Sequence, residues 1–269
     1  MNKTIGIMGC GWLGLPLAKH LAERGYTVRG TTTSEAKLTL LVKSGVAPFM
    51  ISISEQGIEG NITSFLSGLD VIIINIPPAL RGGNTSDYVL KLKRLHEHIA
   101  SAGVARVIFV SSTSVYGAVS GKVTENTIPE PGSASGRQLL RAEDLFRTDQ
   151  NLKTAIVRFG GLIGPDRHPA RSLAGRKDLK NGHHPVNLIH LDDCIALLTT
   201  ILERDWWDAI FNGVSPEHPS KQKYYRGQAE KMGLEPPEFM QEAGANEGKN
   251  VDSINLPKRG FTFSKSIWE

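Results

Sequence analysis

Short runs of consecutive apolar residues alternate along the chain with longer stretches in which apolar residues recur every three or four positions. The short runs are typical of strands covered on both faces, and the longer period is typical of helices packed on one side. The runs predict strands at 4–8, 26–30, 49–51, 71–74, 107–110, 154–157 and 209–211. The longer stretches predict helices at 15–22, 35–43, 88–101, 139–149, 193–203 and 221–232. Such alternation predicts an α/β fold, a Rossmann-type doubly wound parallel sheet with helices on both faces.

The second half of the chain is less regular than the first. Beyond residue 160 the periodic pattern weakens, and Pro and Gly are frequent. A chain of 269 residues lies near the upper limit for one hydrophobic core. We therefore expect a single domain over 1–269, with a core at 1–160. At 161–269 we expect mostly a small C-terminal substrate lobe with some late core elements.

A glycine-rich loop follows the first predicted strand and opens the first predicted helix. Its residues are Gly9, Cys10, Gly11, Trp12, Leu13 and Gly14. In this context the three glycines allow a tight turn, close approach of the backbone to a pyrophosphate, and packing of helix on strand. The loop therefore predicts a nicotinamide dinucleotide, although a glycine turn without a ligand is the alternative. Trp12 either stacks on the cofactor or packs, and Cys10 is expected to be a small filler.

The end of the second predicted strand bears on which dinucleotide is bound. NAD-selective sites usually carry an acidic residue there, which bonds the ribose 2′-hydroxyl. This chain has Thr31, Thr32 and Thr33 instead, with Arg29 and Lys37 nearby and no acid before Glu35. Hydroxyls beside cations favour a 2′-phosphate, so we expect NADP, with NAD as the alternative. These residues can also serve the next helix, with Ser34 as its N-cap.

Composition and charge narrow the range of partners. The net charge is only +4, and no dense Lys/Arg stripe is interleaved with aromatic residues, so no nucleic acid is expected. No run of roughly eighteen apolar residues predicts a membrane span, and the N-terminal run is too short for a signal peptide. Cys10 and Cys194 match no metal spacing and need no oxidising compartment. We expect a cytoplasmic protein with a small-molecule substrate, and the mild basic charge is compatible with a phosphorylated one.

Several segments, taken in order, resemble motifs of the extended short-chain dehydrogenase/reductases, the family of nucleotide-sugar epimerases and dehydratases. They are 109–117 (FVSSTSVYG), 158–165 (RFGGLIGP), 187–193 (NLIHLDD) and, more loosely, 211–213 (FNG) and 258–261 (KRGF). The resemblance implies an NAD(P)-dependent oxidoreductase or epimerase/dehydratase acting on a nucleotide-sugar-like substrate. It also implies that Asn75, Ile76, Pro77 and Ser111 lie beside the cofactor.

The chain departs from this family at its active pair, a Tyr followed four residues later by a Lys. The matching stretch, 135–143 (SGRQLLRAE), has Ser135 in place of Tyr and Leu139 in place of Lys. A serine hydroxyl is a far weaker acid than a phenol, so the usual proton transfer is absent. The chain therefore resembles atypical members of the family. Either another group, such as Ser112 or Tyr116, takes part in catalysis, or the protein is an inactive NADP-binding sensor or regulatory module.

The remaining candidates concern the substrate. Ser112 matches the family's substrate-orienting hydroxyl, and Tyr116 is a packing residue if it is not catalytic. The resemblance implies substrate contacts from Ser112, Ser135, Arg167, Arg171, Arg176 and His190. Arginines suit phosphate, and Arg158 belongs to the same run, although solvated surface arginines are the alternative. We expect no metal at His183, His184 and His190, a helix cap at Asp192 or Asp193, and a homodimer formed through helices 88–101 and 139–149.

Overall fold

The computed structural model describes residues 3–78, 86–241 and 247–269. Its strands are β1 Thr4–Met8, β2 Thr27–Thr32, β3 Ala47–Met50, β4 Ser52–Ile53, β5 Ile58–Glu59, β6 Val71–Ile74, β7 Arg106–Ser112, β8 Gly121–Val123, β9 Lys153–Phe159, β10 Gly161–Ile163, β11 Leu188–His190, β12 Ala209–Gly213 and β13 Lys249–Val251. Its helices are α1 Gly14–Glu23, α2 Glu35–Lys43, α3 Ile62–Leu66, α4 Tyr88–Ser101, α5 Ala134–Arg147, α6 Pro169–Leu173, α7 Leu191–Glu203, α8 Lys221–Lys231 and α9 Asn255–Lys258, with a 3₁₀ turn at Thr113–Tyr116.

A seven-stranded sheet forms the centre of the fold, in the order β12-β9-β7-β6-β1-β2-β3. The pairs β1–β2, β1–β6, β2–β3 and β6–β7 are parallel. The chain thus starts in the middle of the sheet, builds towards β3, and then crosses to the other side of β1. The carboxyl ends of β1 and β6 consequently lie side by side where the order reverses, which is where open α/β sheets bind ligands. The predicted doubly wound parallel sheet is confirmed.

Because apolar residues occupy consecutive positions, the central strands are apolar on both faces and both faces are buried. All four residues of β6 are buried, as are the last four of β1. Helices pack on the sheet: α5 packs against α4 and β7, and the ring of Phe146 stacks on Phe109 of β7 with centroids 5.4 Å apart. This rigid sheet fixes where each strand ends, and hence where the loops that follow are held.

The chain divides into two compact units. The first contains residues up to 115, together with 131–158 and 195–210. The second contains 116–130, 159–194 and the residues from 211 onwards. It has two short parallel pairs, β10–β11 and β8–β13, and its core includes Ile163, Val186, Leu188, Tyr224 and Ile267. In the described ranges, no helix has the length and apolar character needed to cross a membrane.

Two local predictions differ from the structure at helix starts. Helix α5 begins at Ala134, five residues before the predicted start, because the Ser133 side chain accepts a hydrogen bond from the N–H of Gly136. Ser34 occupies the N-cap position of α2, as predicted, but its side chain makes no capping bond. The Thr32 hydroxyl accepts from the Ser34 N–H instead, at 3.1 Å.

Candidate functional site

A cleft of about 270 Å³ opens at the carboxyl ends of β1, β2, β3 and β6. It lies wholly within the first unit. Its lining residues are Met8, Gly9, Cys10, Gly11, Thr31, Thr32, Thr33, Lys37, Ile51, Ser52, Ile53, Asn75, Ile76 and Pro77. The glycine loop, the threonines after β2 and the exit of β6 are therefore brought together.

The three glycines of the loop have different physical roles. Gly9 has a φ of 103°, and a Cβ there would lie 2.6 Å from the carbonyl oxygen of Asn75. A Cβ on Gly14 would lie 2.2 Å from the carbonyl oxygen of Gly9, so the helix could not start against the loop. A Cβ on Gly11 would meet nothing within 4 Å. Gly9 and Gly14 therefore shape the turn, whereas the space over Gly11 is open to a ligand.

Hydrogen bonds fix the loop to the neighbouring strand ends. The N–H of Gly9 donates to the Thr31 hydroxyl at 2.9 Å, and the N–H of Cys10 donates to the Thr31 carbonyl at 2.8 Å. On the other side the Asn75 amide donates to the carbonyl of Gly9 at 3.0 Å. The loop is thus held between β2 and β6 in a fixed conformation before any ligand arrives.

Helix α1 begins at Gly14 with its N-terminus at this loop. Leu13 is its N-cap residue, and no side chain caps the helix. The first N–H groups of a helix have no intrahelical partner, and the dipole makes this end positive. An uncapped helix start behind an open glycine is suited to the phosphates of a dinucleotide. Trp12 is partly exposed and Leu13 is buried in the core, and neither lines the cleft.

The polar groups after β2 differ in how accessible they are. Thr31 and Thr32 are buried and already bonded, to Gly9 and Ser34 respectively. Thr33 and Lys37 are exposed and line the cleft. The expectation that Arg29 also serves a 2′-phosphate is wrong. Its guanidinium donates to the carbonyls of Ser64, Phe65 and Ser67 at the end of α3, at 3.0, 2.9 and 2.6 Å.

The side chain of Cys10 is buried, and its thiol is neutral. Burial raises the pKa of its thiol to about 12, against a smaller opposing effect of a hydrogen bond with the Thr31 backbone. The Sγ atom lies where a Cβ on Gly30 would come within 2.7 Å of it. The thiol therefore brings no negative charge to the cleft, as its predicted filler role requires.

Sequence reasoning missed four of the lining residues, namely Met8, Ile51, Ser52 and Ile53. Met8 ends β1, and the other three directly follow β3. The signal was available: β3 is an apolar run beside β2, and parallel strands place their carboxyl ends at one edge. The strand itself was predicted, at 49–51, but its carboxyl end was not assigned to the cofactor site.

The carboxyl end of β7 carries a buried polar network. The Ser111 hydroxyl donates to Glu143 Oε1, and Glu143 also accepts from Arg158. Ser111 is therefore buried against α5 and does not line the cleft described above. Ser112 is partly exposed, and its hydroxyl accepts from the N–H of Ser114 at 3.2 Å. Arg158, expected among the substrate arginines, is instead used in the core.

The two other hydroxyl candidates have contrasting surroundings. Tyr116 is fully buried, and its hydroxyl donates to Oδ1 of Asn212 at 2.9 Å, so the geometry favours the packing role. Ser135 is partly exposed in the first turn of α5. Leu139, at the position of the family's lysine, is 5% exposed and belongs to the core.

The remaining substrate candidates lie in the second unit. Arg167, Arg171 and Arg176 are all exposed, which is compatible with both phosphate contacts and a solvated surface. His190 ends β11, and its Nδ1 accepts from the N–H of Asp192 at 3.2 Å. The expected N-cap at Asp192 or Asp193 is wrong, because α7 begins at Leu191 and both residues lie in its first turn. The carboxylate of Asp193 accepts from the N–H and hydroxyl of Ser264 and from the N–H of Lys265.

Comparison with known proteins shows the family to which the chain belongs. The sequence model of the family described as NAD(P)H-binding matches residues 9–195, which is more than half of the chain. The chain belongs to this family. Its matched region starts at the glycine loop and includes all the described residues that line the cleft except Met8.

One relative supports the family assignment, and two solved structures have the same fold. The protein YeeZ of Escherichia coli K12 is 34% identical over 94% of this chain and 93% of its own length. MoeE5, solved with UDP-glucuronic acid and NAD, has a TM-score of 0.81 at 23% identity, covering 99% of this chain and 95% of its own. UDP-glucuronic acid 4-epimerase from Bacillus cereus, solved with NAD, has a TM-score of 0.79 at 20% identity, covering 98% and 93%. The predicted resemblance to atypical short-chain dehydrogenase/reductases is confirmed.

Proposed function

We propose that the chain binds NADP(H) in the cleft of the first unit and acts on a phosphorylated, nucleotide-sugar-like small molecule. The choice of NADP(H) as the cofactor rests on the charge of the residues that line the cleft. It contains Lys37 and the hydroxyls of Thr33 and Ser52, and no carboxylate stands among the described lining residues. An acid bonding a ribose 2′-hydroxyl would be expected for NAD, and a cation beside a hydroxyl suits a 2′-phosphate.

The residues present fit such a cofactor. The open space over Gly11 and the uncapped start of α1 would receive the pyrophosphate. Thr33 and Lys37 would hold the 2′-phosphate, the latter as a point charge on a flexible stem. Asn75, Ile76 and Pro77, at the exit of β6, would border the rest of the dinucleotide. When bound, the nicotinamide would supply hydride transfer.

The substrate class rests on the proteins with the same fold. MoeE5 is solved with bound UDP-glucuronic acid, and the Bacillus cereus protein is a UDP-glucuronic acid 4-epimerase. Ser112, partly exposed at the carboxyl end of β7, would orient a substrate hydroxyl. Ser135 would contact the substrate, whereas Tyr116 would support the loop through Asn212. We also propose substrate contacts from Arg167, Arg171, Arg176 and His190, a cytoplasmic location, and a homodimer through α4 and α5.

A second candidate function is an NADP-binding sensor or regulatory module without turnover. The burial of Leu139 in the core favours it. In an enzyme of the usual type, a lysine at this position would be expected to be available to the cofactor and to tune a neighbouring phenol. The chain has neither group at these positions. Turnover therefore needs a proton donor of another kind, and binding does not.

The cofactor proposal is tested by calorimetric titration of Lys37→Met with NADPH and NADH. Lys43→Met is the matched control, since Lys43 is an exposed lysine on the same helix that does not line the cleft. We expect Lys37→Met to weaken NADPH about tenfold, about 1.4 kcal/mol, and to leave NADH unchanged. Equal losses for both cofactors, or no loss for either, would contradict the role given to Lys37.

Turnover is tested separately with UDP-glucose and UDP-glucuronic acid in the presence of NADP⁺. Chromatography of the sugar products and the absorbance of reduced nicotinamide report the reaction. Activity of the wild type supports the enzyme. If the wild type is inactive and S135Y/L139K is active where S135Y alone is not, the chain is a binding module that keeps a substrate pocket. Inactivity of all three supports the sensor.

A further inference from the structure

Helix α4 begins at a buried tyrosine that contacts both a wall of the cleft and a second helix. Tyr88, its first residue, is 2% exposed. The hydroxyl of Tyr88 donates to the carbonyl of Ile76 at 2.7 Å, and its N–H donates to Oε1 of Gln138 at 2.6 Å. Ile76 lines the cleft at the exit of β6, and Gln138 belongs to α5. One residue therefore joins the cleft to α5 by two hydrogen bonds.

The exit of β6 offers few other hydrogen bonds that could hold it in place. Asn75, at its start, is bonded to the glycine loop through its side-chain amide. Ile76 follows, and then come Pro77 and Pro78, neither of which has an N–H to donate. The hydrogen bond from Tyr88 to the carbonyl of Ile76 therefore fixes the Ile76–Pro77 peptide, which is part of the wall of the cleft.

The second hydrogen bond of Tyr88 connects this wall to the first turns of α5. The first N–H groups of a helix have no intrahelical partner, and Gln138 supplies an acceptor to that of Tyr88. Gln138 lies three residues after Ser135, so the two side chains share a face of α5. A Cβ on Gly136 would lie 2.9 Å from the carbonyl of Ser114, so this end of α5 also lies against the turn after β7.

The order of the strands indicates which half of a dinucleotide would meet the wall at Ile76. The sheet runs β7-β6-β1-β2 at this point. With the 2′-phosphate at Thr33 and Lys37 after β2, and the pyrophosphate at the loop after β1, the rest of the cofactor would continue to β6. The Ile76–Pro77 peptide would therefore border the nicotinamide half of the cofactor.

Tyr88 does not replace the phenol that α5 lacks. Its hydroxyl already donates to a carbonyl, and burial raises the pKa of the phenol above its ordinary value. The group therefore keeps its proton and acts as a neutral donor. Whatever Tyr88 contributes to the cleft, it contributes through the peptide that it holds.

We propose that Tyr88 is a positioning residue for the nicotinamide half of the bound cofactor. Its hydroxyl holds the Ile76–Pro77 wall, and its N–H ties that wall to the helix that carries Ser135. The inference rests on the proposed function for the identity of the cofactor. A wall that is fixed before binding costs less to order when the cofactor arrives. Loss of the hydroxyl should therefore weaken the binding of the nicotinamide half and spare that of the adenosine half.

The test is calorimetric titration of the full-length protein with NADPH and with 2′,5′-ADP, a fragment that keeps the 2′-phosphate and lacks the nicotinamide half. We expect Tyr88→Phe to bind NADPH about fivefold more weakly, about 1 kcal/mol, and to bind 2′,5′-ADP as the wild type does. Gln138→Met, which removes the acceptor for the Tyr88 N–H, should also weaken NADPH and spare 2′,5′-ADP.

Two matched controls separate this role from a general loss of stability. Tyr224→Phe removes a hydroxyl that also donates to a backbone carbonyl, that of Ile267 in the second unit. It should lower the melting temperature about as much as Tyr88→Phe and leave NADPH binding unchanged. Arg141→Met removes an exposed side chain from α5 and should change neither quantity.

The fluorescence of bound NADPH gives a second readout that stability alone does not move. At saturation, the emission of the reduced nicotinamide depends on its surroundings and no longer on affinity. We expect the emission spectrum of NADPH bound to Tyr88→Phe to differ from that of the wild-type complex. The spectrum of the Tyr224→Phe complex should match that of the wild type.

The outcomes distinguish this inference from the proposed function. If the wild type binds NADPH, and Tyr88→Phe keeps both its affinity and its emission, the role of Tyr88 is overturned and the cofactor assignment stands. Equal losses of NADPH and 2′,5′-ADP would also overturn it. If Tyr88→Phe does not fold, Gln138→Met decides by the same criteria. A wild type that binds neither compound contradicts the proposed cofactor, and the role of Tyr88 falls with it.

Discussion

Arg158 and Glu143 form a buried ion pair between β9 and α5. The Nη2 of Arg158 donates to Oε2 of Glu143 at 2.6 Å, and the two side chains are 3% and 1% exposed. Nε of Arg158 donates to Oε1 at 3.0 Å, so the pairing is bidentate. The hydroxyl of Ser111 donates to the same carboxylate. The end of β7, which includes Ser112, is therefore tied to the helix that carries Ser135.

Breaking this pair from one side should be costly. Arg158→Met leaves a buried carboxylate without its counter-charge, and we expect the free energy of unfolding to fall by about 3–5 kcal/mol. Arg147→Met is the control, because Arg147 pairs with Asp144 on the same helix with both side chains about half exposed. Its loss should cost less than about 1 kcal/mol. Urea denaturation measures both, and similar costs for the two variants would refute the importance of burial here.

Two glycines of the loop should respond oppositely to an added methyl group. Gly14→Ala places a Cβ against the carbonyl of Gly9, so we expect a loss of about 1–3 kcal/mol in stability. Gly11→Ala meets nothing and should keep its stability within about 1 kcal/mol. Its methyl would fill the space expected for the pyrophosphate, so NADPH binding should weaken at least about tenfold.

Denaturation and NADPH titration of both glycine variants provide the check. Gly103→Ala is unsuitable as a control because its φ is positive, whereas Gly132 has neither a positive φ nor a neighbour within 4 Å of a Cβ. Gly132→Ala should leave NADPH binding unchanged. Full cofactor affinity in Gly11→Ala would show that the phosphates do not pass over this residue.

A chain of hydrogen bonds in the second unit fixes the protonation of His168. Its Nδ1 accepts from the N–H of Ala170, and its Nε2 lies 2.9 Å from the hydroxyl of Tyr224. That hydroxyl donates to the carbonyl of Ile267 at 2.8 Å. Since Nδ1 accepts, Nε2 carries the proton and donates to Tyr224. A second proton, on Nδ1, would break the cap of α6.

Stability should therefore depend on pH through His168. Burial, together with the charge of Arg171, lowers the pKa of this imidazole below its ordinary value. The unfolded chain consequently takes up a proton first as the pH falls. The contribution of His168 is fully present above the unfolded pKa of about 6.5 and is lost as the pH falls through the lowered folded pKa.

The variant His168→Asn, which can still cap α6 but cannot be protonated, isolates this effect. Melting temperatures measured between about pH 7.5 and pH 5 should fall less for the variant than for the wild type. His98→Gln, at an exposed histidine on α4, should keep the wild-type slope. An identical pH dependence in His168→Asn and wild type would contradict the neutral state assigned to His168.

The fold could be predicted largely because its signals are local. The apolar run of β6 and the helical period of α4 are strong enough to give the observed limits, Val71–Ile74 and Tyr88–Ser101. The start of α5 was missed because its first turn is polar. Its helical state depends on the Ser133 cap, which the hydrophobic pattern does not contain.

The site residues could be predicted where the residue type itself limits the role, as it does for a glycine at a point of close approach. Gly9 and Gly14 are needed for close approach, and their roles followed from the spacing together with the predicted strand before the loop and the predicted helix after it. The direction of a charged side chain has no such signature, so Arg29 and Arg158 were assigned to phosphates although they serve the end of α3 and Glu143. Alternation along β2 predicts that Arg29 and Thr31 lie on the same face of the strand. It does not predict their hydrogen-bond partners, which the tertiary structure decides.

The most direct test of the central claim is titration of the wild-type protein with NADPH and with NADH by calorimetry. The account predicts saturable NADPH binding, with NADH at least about tenfold weaker, about 1.4 kcal/mol, because only NADPH has a ribose 2′-phosphate for Lys37 and Thr33 to hold. Equal affinities would contradict the NADP assignment. Failure to bind either dinucleotide would contradict the assignment of the cleft as a cofactor site.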